Sequence, residues 1–411
     1  MRRLYPTIVS LALAAVVCAQ EKPYTYKDDS LDVLVPSTSI ENTWDAGVRM
    51  HTNHLIYRPN DIGPEILLVS QNGPNPSGSY YYSPQQIKEA YNLPATGGSG
   101  VICIVDAYDD PNALSDFNTF SSRFNLPTET STNATSSSNK VFQVVYGSGS
   151  QPSANGGWAQ EESLDFEWAH ALAPKAKIVL VEAASANLKD LFTAESVAAD
   201  YPGCKEVSNS WGGGEFSFET YYDDTFTKPG VVFFASAGDT GGAQSWPSCS
   251  PNVVSCGGTS LYLSANGSRI SPETAWNSGG GGPSAYEALP SYQTSLASTI
   301  GQQRGTPDVS FDANPSTGVL VYDSYSNGGL AGWLIFGGTS VSSPCLAAIA
   351  NLAGHNRKSS VDELTNQVYY SFEHEGIRFY DITSGQAGSF KCKSGWDFVT
   401  GVGSLHGDGG V

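Results

Sequence analysis

The chain has 411 residues and carries 21 Lys+Arg against 40 Asp+Glu, a formal net charge of -19. Only 15% of it is charged, whereas 40% is hydrophobic, with 8 Trp, 21 Tyr and 17 Phe. Such a chain is too apolar to stay disordered and too acidic to favour a phosphate-backbone partner. With 44 Gly and 23 Pro it is also too rich in helix breakers for a coiled coil. A large, loop-rich globular protein remains, whose surface loses charge as its carboxylates protonate in acid.

Residues 1–19 read as a secretory signal: Arg2 and Arg3 precede a short apolar run from Ile8 to Val17, and Val17-Cys18-Ala19 makes a small-residue exit. The run is too short to span a membrane, so a secreted, extracellular protein is expected. Loss of Cys18 would leave Cys103, Cys204, Cys249, Cys256, Cys345 and Cys392, an even set that suggests disulfides in an oxidising compartment. Cys249 and Cys256 are the best local pair, and Cys103, in an apolar run, is as well read as a buried thiol. Asn133 and Asn266 begin glycosylation acceptor triplets.

Residues 20–78 differ from the rest. They hold a weak strand (HLIY, 54–57), a second apolar patch (ILLV, 66–69) and a Pro/Gly/Ser linker, and read as a short pro-segment. From residue 79 to 411 a single domain is expected. Its apolar runs are Val101–Val105, Ile178–Val181, Val207–Asn209, Val231–Ala235, Val253–Cys256 and Val319–Tyr322. They alternate with helical patterns near 84–91, 112–124, 160–172, 188–200 and 341–354. Apolar strands separated by helices predict an α/β fold, a mostly parallel central sheet flanked by helices.

The sharpest local signal is Gly338-Thr339-Ser340-Val341-Ser342-Ser343-Pro344. A strand (WLIF) enters a Gly-rich turn and a small-residue helix leaves it, with Pro344 expected in the first turn. Ser340 therefore stands at a helix N-terminus, where a nucleophile gains from the positive end of the dipole. The segment looks like the nucleophile segment of subtilisin-like peptidases. Yet none of the six histidines, His51, His54, His170, His355, His374 and His406, sits in a triad motif. His51 and His54 precede the domain, and His170 reads as a surface or packing residue.

A different base is therefore needed. Glu161 and Asp165 lie at i and i+4 on one helix face among Trp158, Leu164, Phe166 and Trp168. Two stacked carboxylates are tolerated when they share a proton, which raises one pKa. A third carboxyl, Asp239, ends an apolar strand in a Gly-flanked turn (Ser236-Ala237-Gly238-Asp239), at the carboxyl edge where α/β proteins place ligands. An amide would donate to an oxyanion there, and an Asp can do so only when protonated.

Together these segments resemble the sedolisin family, the serine-carboxyl peptidases, over about residues 80–405. The E-x-x-L-D helix matches Glu161 to Asp165, the S-A-G-D segment matches Ser236 to Asp239, and G-T-S-x-S-x-P matches Gly338 to Pro344. VSNSWGG (207–213) resembles the family's substrate-binding strand. The resemblance implies a subtilisin-like fold and a secreted, acid-acting peptidase. Ser340 would be the nucleophile, Glu161 the general base and Asp165 its partner. Protonated Asp239 would sit in the oxyanion hole, with Asp106 structural. It further implies one calcium ion in a C-terminal loop region, held by the side chains of Asp381 and Asp397 and the carbonyls of Ile382, Lys393 and Gly395; the family often has Gly at the Lys393 position. Protein or peptide substrates and a monomer are expected, with internal cleavage and tripeptidyl release both open. Two other readings remain: a glycoside hydrolase using the Glu161/Asp165 pair, and a non-catalytic secreted protein on the same fold.

Overall fold

Runs such as Val-Ile-Cys-Ile-Val have no polar face, so a strand made from them must be covered on both sides. In the computed structural model, which describes residues 22–26, 32–58, 81–264, 266–354 and 356–411, the strand Val101–Ala107 is buried at every position. Side-chain alternation sends Ile102 and Ile104 to one apolar core and Val101, Cys103, Val105 and Ala107 to a second on the opposite face. Lys177–Ala183 divides in the same way, Ile178 and Leu180 against Val179 and Val181.

These strands build one large sheet. Its order runs Phe142–Tyr146, Lys177–Ala183, Val101–Ala107, Cys204–Asn209, Val232–Ser236, Val254–Ser260, Val309–Asp312, Ser404–Leu405 and Phe379–Tyr380. Every neighbouring pair is parallel except the last. The helices Ala113–Arg123, Gly156–Leu172 and Thr339–Ala353 pack mainly into the first core, and Leu188–Ala199 into the second. The expected α/β architecture is thus present, and each of the five helical patterns became a helix within a few residues of its expected bounds. Among the described residues no helix is long and apolar enough to cross a membrane.

Three expectations are corrected. Val319–Tyr322 does not join the parallel sheet; as part of Val319–Asn327 it pairs antiparallel with Leu330–Gly337 in a second sheet. That sheet continues through Leu55–Tyr57, Val33–Pro36 and Tyr24–Tyr26, so the front segment is sewn onto the body of the protein. Val319 carries an apolar run like the others, but its neighbour in sequence is a hairpin partner, which favours antiparallel pairing. Second, all six cysteines among the described residues are free thiols. Cys249 packs in the second core and Cys256 in the first, so seven residues of separation leave them on opposite faces of the sheet. Third, Pro344 lies in the second turn of its helix. Residues 59–80, which include the ILLV patch and the linker, His355 and the signal with Cys18 lie outside the described residues. Asn133 and Asn266 are exposed.

Candidate active site

The helix Gly156–Leu172 begins where Asn155 accepts hydrogen bonds from the N–H groups of Gly157 (3.0 Å) and Trp158 (3.2 Å), satisfying two otherwise orphaned donors. From Gly157 to Leu172 it is buried throughout. Glu161 and Asp165 are therefore held without solvent, and burial pushes both carboxyls well up. A hydrogen bond with the Ser340 hydroxyl and one from the Asn53 N–H (3.2 Å) oppose the rise at Glu161. Asp165 accepts from the Ser210 hydroxyl at 2.8 Å, and the Glu161 charge adds to its rise. Asp106, at the end of Val101–Ala107, is a third buried carboxyl of this group, raised by burial and then by Asp165 and Glu161. Three carboxyls so close and so dry cannot all ionise, and they must share protons.

Ser340 is the second residue of the helix Thr339–Ala353 and is fully buried. Pro344 has no N–H to return to the Ser340 carbonyl, which instead accepts from the Ser210 hydroxyl at 3.3 Å. The Ser340 hydroxyl donates to the Ser210 carbonyl at 3.2 Å. Asp239 follows the strand Val232–Ser236. One of its oxygens accepts from the Thr339 N–H (2.8 Å) and hydroxyl (2.9 Å), which locks the carboxyl to the helix start. Gly338, at φ +101°, makes room here: a Cβ would stand 2.2 Å from the Asn53 carbonyl oxygen and 2.6 Å from Asp239 Oδ2. The four residues expected to be catalytic thus converge, although 179 positions separate Glu161 from Ser340.

Two residues of the site were not foreseen. His51–Thr52 pairs antiparallel with Trp211–Gly212, His51 opposite Gly212. The ladder continues with the Asn53 N–H on the Ser210 carbonyl at 3.2 Å. The Ser340 N–H then donates to the Asn53 carbonyl at 3.1 Å. The next residue, His54, is fully buried with Nδ1 2.7 Å from Glu161 Oε2. Burial lowers the imidazole to about 3, against the opposing pull of Asp239. Burial thus favours the neutral form of both partners, and one proton is held between them. His54 lies ahead of the domain expected from residue 79, yet its side chain reaches the centre of the site. Its position 107 residues before Glu161 left no local pattern to read. The weak HLIY strand was the one hint, and it forms from Leu55. Of the surface and packing roles open to His170, the structure gives packing: it is buried, its Nε2 2.8 Å from the Pro127 carbonyl.

Of the residues expected around calcium, Asp381 meets Gly395 and Asp397 meets Lys393. Both oxygens of Asp381 accept from the Gly395 N–H at 3.2 Å, and Oδ2 from the Ser394 hydroxyl at 3.0 Å. Asp397 accepts from the N–H groups of Lys393 (3.0 Å), Val399 and Thr400 (2.9 Å each). Gly395 turns the loop back on Asp381 with φ +78°. Lys393 keeps an ordinary backbone angle, so the side chain standing where the family often has Gly brings no strain. Two carboxylates and the carbonyls of Ile382, Lys393 and Gly395 would offer an all-oxygen set, the chemistry that a hard cation prefers.

Comparison with known proteins shows the family and the fold. Residues 149–371 match the model of the subtilase family. Kumamolisin of Bacillus sp. (strain MN-32) is 32% identical over 366 residues, covering 79% of this chain and 62% of that protein. Sedolisin of Pseudomonas sp. (strain 101) is 35% identical over 210 residues, 44% of this chain and 34% of that protein. The chain thus spans less than two thirds of the length of either. The solved structure of Pseudomonas sedolisin, a serine-carboxyl proteinase complexed with two molecules of pseudo-iodotyrostatin, superimposes with a TM-score of 0.65 at 26% identity, over 80% of this chain and 96% of that one. With its subtilisin-like fold, the chain belongs to the subtilase family, in the sedolisin branch.

Proposed function

We propose that this protein is a secreted, acid-acting serine-carboxyl peptidase that hydrolyses peptide bonds in protein or peptide substrates. One observation carries the reading. An extended peptide lies along Trp211–Gly212 with its carbonyl oxygen on the Ser340 N–H, on the side of Gly338 that Asp239 Oδ2 also faces. A carbonyl held there is set for attack by Ser340, and a protonated Asp239 would supply the second donor.

Ser340 Oγ attacks the carbonyl carbon and passes its proton to Glu161. The oxyanion that forms is stabilised by the Ser340 N–H and Asp239. The C–N bond then breaks, and Glu161 returns the proton to the departing amine. Water hydrolyses the acyl-enzyme through the same groups. Asp165 positions Glu161 and shares its proton load, and Asp106 adds to that load from beneath. Because burial raises Glu161, it is a stronger base than an ordinary carboxylate when ionised. The need for protonated Asp239, and for protons among the other carboxyls, supports an acid working range.

One calcium ion fits the loop of Asp381, Ile382, Lys393, Gly395 and Asp397, where it would brace the C-terminal segment and take no part in the reaction. Residues 1–19 as signal, 20–78 as pro-segment and 79–411 as catalytic domain, acting as a monomer, complete the proposal. The test is to incubate the purified protein with a denatured protein substrate across acid pH, beside Ser340→Ala. Degradation by the parent alone is expected. Equal inertness of both proteins at every pH rejects the peptidase reading.

A further inference from the structure

The peptide in the cleft also carries side chains, and the one before the aligned bond is read by a specific contact. Asn53 is buried, and its Nδ2 donates to the Ser236 hydroxyl at 2.7 Å. Ser236 is itself fully buried at the end of the strand Val232–Ser236, three residues before Asp239. Its own hydrogen points toward the Asn209 carbonyl, 3.5 Å away, which leaves a lone pair of the oxygen turned to the amide. A hydroxyl oriented in this way accepts from an N–H₂ group. It offers nothing to an aliphatic side chain. Gly212 borders the same amide. A Cβ there would stand 2.2 Å from Ser245 Oγ and 3.5 Å from Asn53 Nδ2, so the space beside the amide is already filled by Ser245. The immediate surroundings of the amide are therefore close and polar.

We infer that the cleft selects asparagine on the acyl side of the bond it cuts, that the Ser236 hydroxyl is the residue that reads it, and that Asn53–His54 of the chain itself is the first such bond. The inference rests on the peptidase reading above and adds a substrate class to it. Backbone pairing of His51 with Gly212, the Asn53 N–H on the Ser210 carbonyl and the Asn53 carbonyl on the Ser340 N–H fix the register with no freedom to slide. In the self-cleavage, Ser340 Oγ bonds to the Asn53 carbonyl carbon and the bond to the His54 nitrogen breaks. The proton taken by Glu161 goes to that nitrogen, and one water then releases the Asn53 carboxyl. Glu161 Oε2 already touches the His54 side chain, beside the nitrogen that must receive the proton.

The full chain is taken from neutral to acid pH and followed by intact mass and N-terminal sequencing. A new N-terminus at His54 is expected in the parent and none in Ser340→Ala. Peptides that differ only in the residue before the cut, Asn, Asp, Leu or Ala, are then compared. The kcat/KM for Asn should exceed that for Leu by about tenfold or more, the worth of one well-made hydrogen bond. The ratio should fall toward unity in Ser236→Ala, which removes one oxygen atom, and return in Ser236→Thr, which keeps a hydroxyl. Ser340-dependent cleavage without preference for Asn, or a preference unchanged in Ser236→Ala, overturns the inference and leaves the peptidase reading standing. A processed N-terminus elsewhere than His54 overturns the self-cleavage. Loss of all Ser340-dependent cleavage overturns both readings.

Discussion

Asp239 shows how much one side chain can carry. One of its oxygens is tied to Thr339, so the other is fixed in direction, toward the space that the Asn53 carbonyl borders. Asp239→Ala removes that donor. It is expected to lower kcat by about 10²–10³ while KM changes little, because the bond strengthens as the oxyanion forms; steady-state kinetics on a peptide substrate check it. Asp239, Glu161, Asp165 and Ser340 were legible in sequence because each sits in a short local pattern: a Gly-flanked strand end, an i, i+4 pair, a Gly-rich helix start. Asn53 and His54 were not. They enter the site through pairing with a strand more than 150 residues away, and no local spacing records that.

At the scale of elements, the front strand carries a pH-dependent docking and the C-terminal loop of Asp381 and Asp397 a proposed calcium site. The docked His54–Glu161 pair holds one proton, because burial lowers His54 from 6.5 to about 3 and raises Glu161 above 4.5. Asp239, whose charge opposes the fall at His54, faces the same ring. Once undocked and solvated, the pair would hold two protons below about pH 4.5 and none above about pH 6.5. Docking is therefore strongest between these values and weakens on either side. In Ser340→Ala, which cannot cut, amide exchange over residues 52–57, corrected for intrinsic rates, should be slowest in that window. Exchange that accelerates evenly with pH would reject the shared proton. In His54→Gln the acid limb should disappear. For the calcium loop, verified removal of metal should lower Tm by several degrees, restored by added calcium in the parent and not in Asp397→Ala. An unchanged Tm rejects the site.

The whole molecule is built around buried carboxyls. Burial raises Glu182 to about 10, Glu219 to about 9, and Asp110, Glu195, Glu206, Glu287 and Asp323 to about 8. A carboxyl whose folded pKa is raised binds its proton more tightly folded than unfolded. Its contribution is fully present below the unfolded value and is lost as pH rises through the folded one. Stability should therefore be greatest near pH 4–5 and fall steadily toward pH 8 to 10, the reverse of acid denaturation. Thermal unfolding across this range is the measurement, and a Tm that climbs from pH 5 to 8 contradicts it. Glu182→Gln, neutral at every pH, should flatten the slope. The net charge of -19 acts in the same direction, since the surface repels itself least in acid.

The sequence by itself determined the α/β class, the helix positions, the four converging side chains and the acid bias, because periodicity, turn chemistry and charge are local or additive properties. Only the tertiary structure decided three further matters. Val319–Asn327 went to a second sheet rather than the first. Cys249 and Cys256 were held on opposite faces of the main sheet as free thiols. The cleft was filled by Asn53 and His54 of the same chain. Each depends on which strand pairs with which across long stretches of chain. Strand pairing is chosen by the burial of whole faces, so no short window of residues contains it.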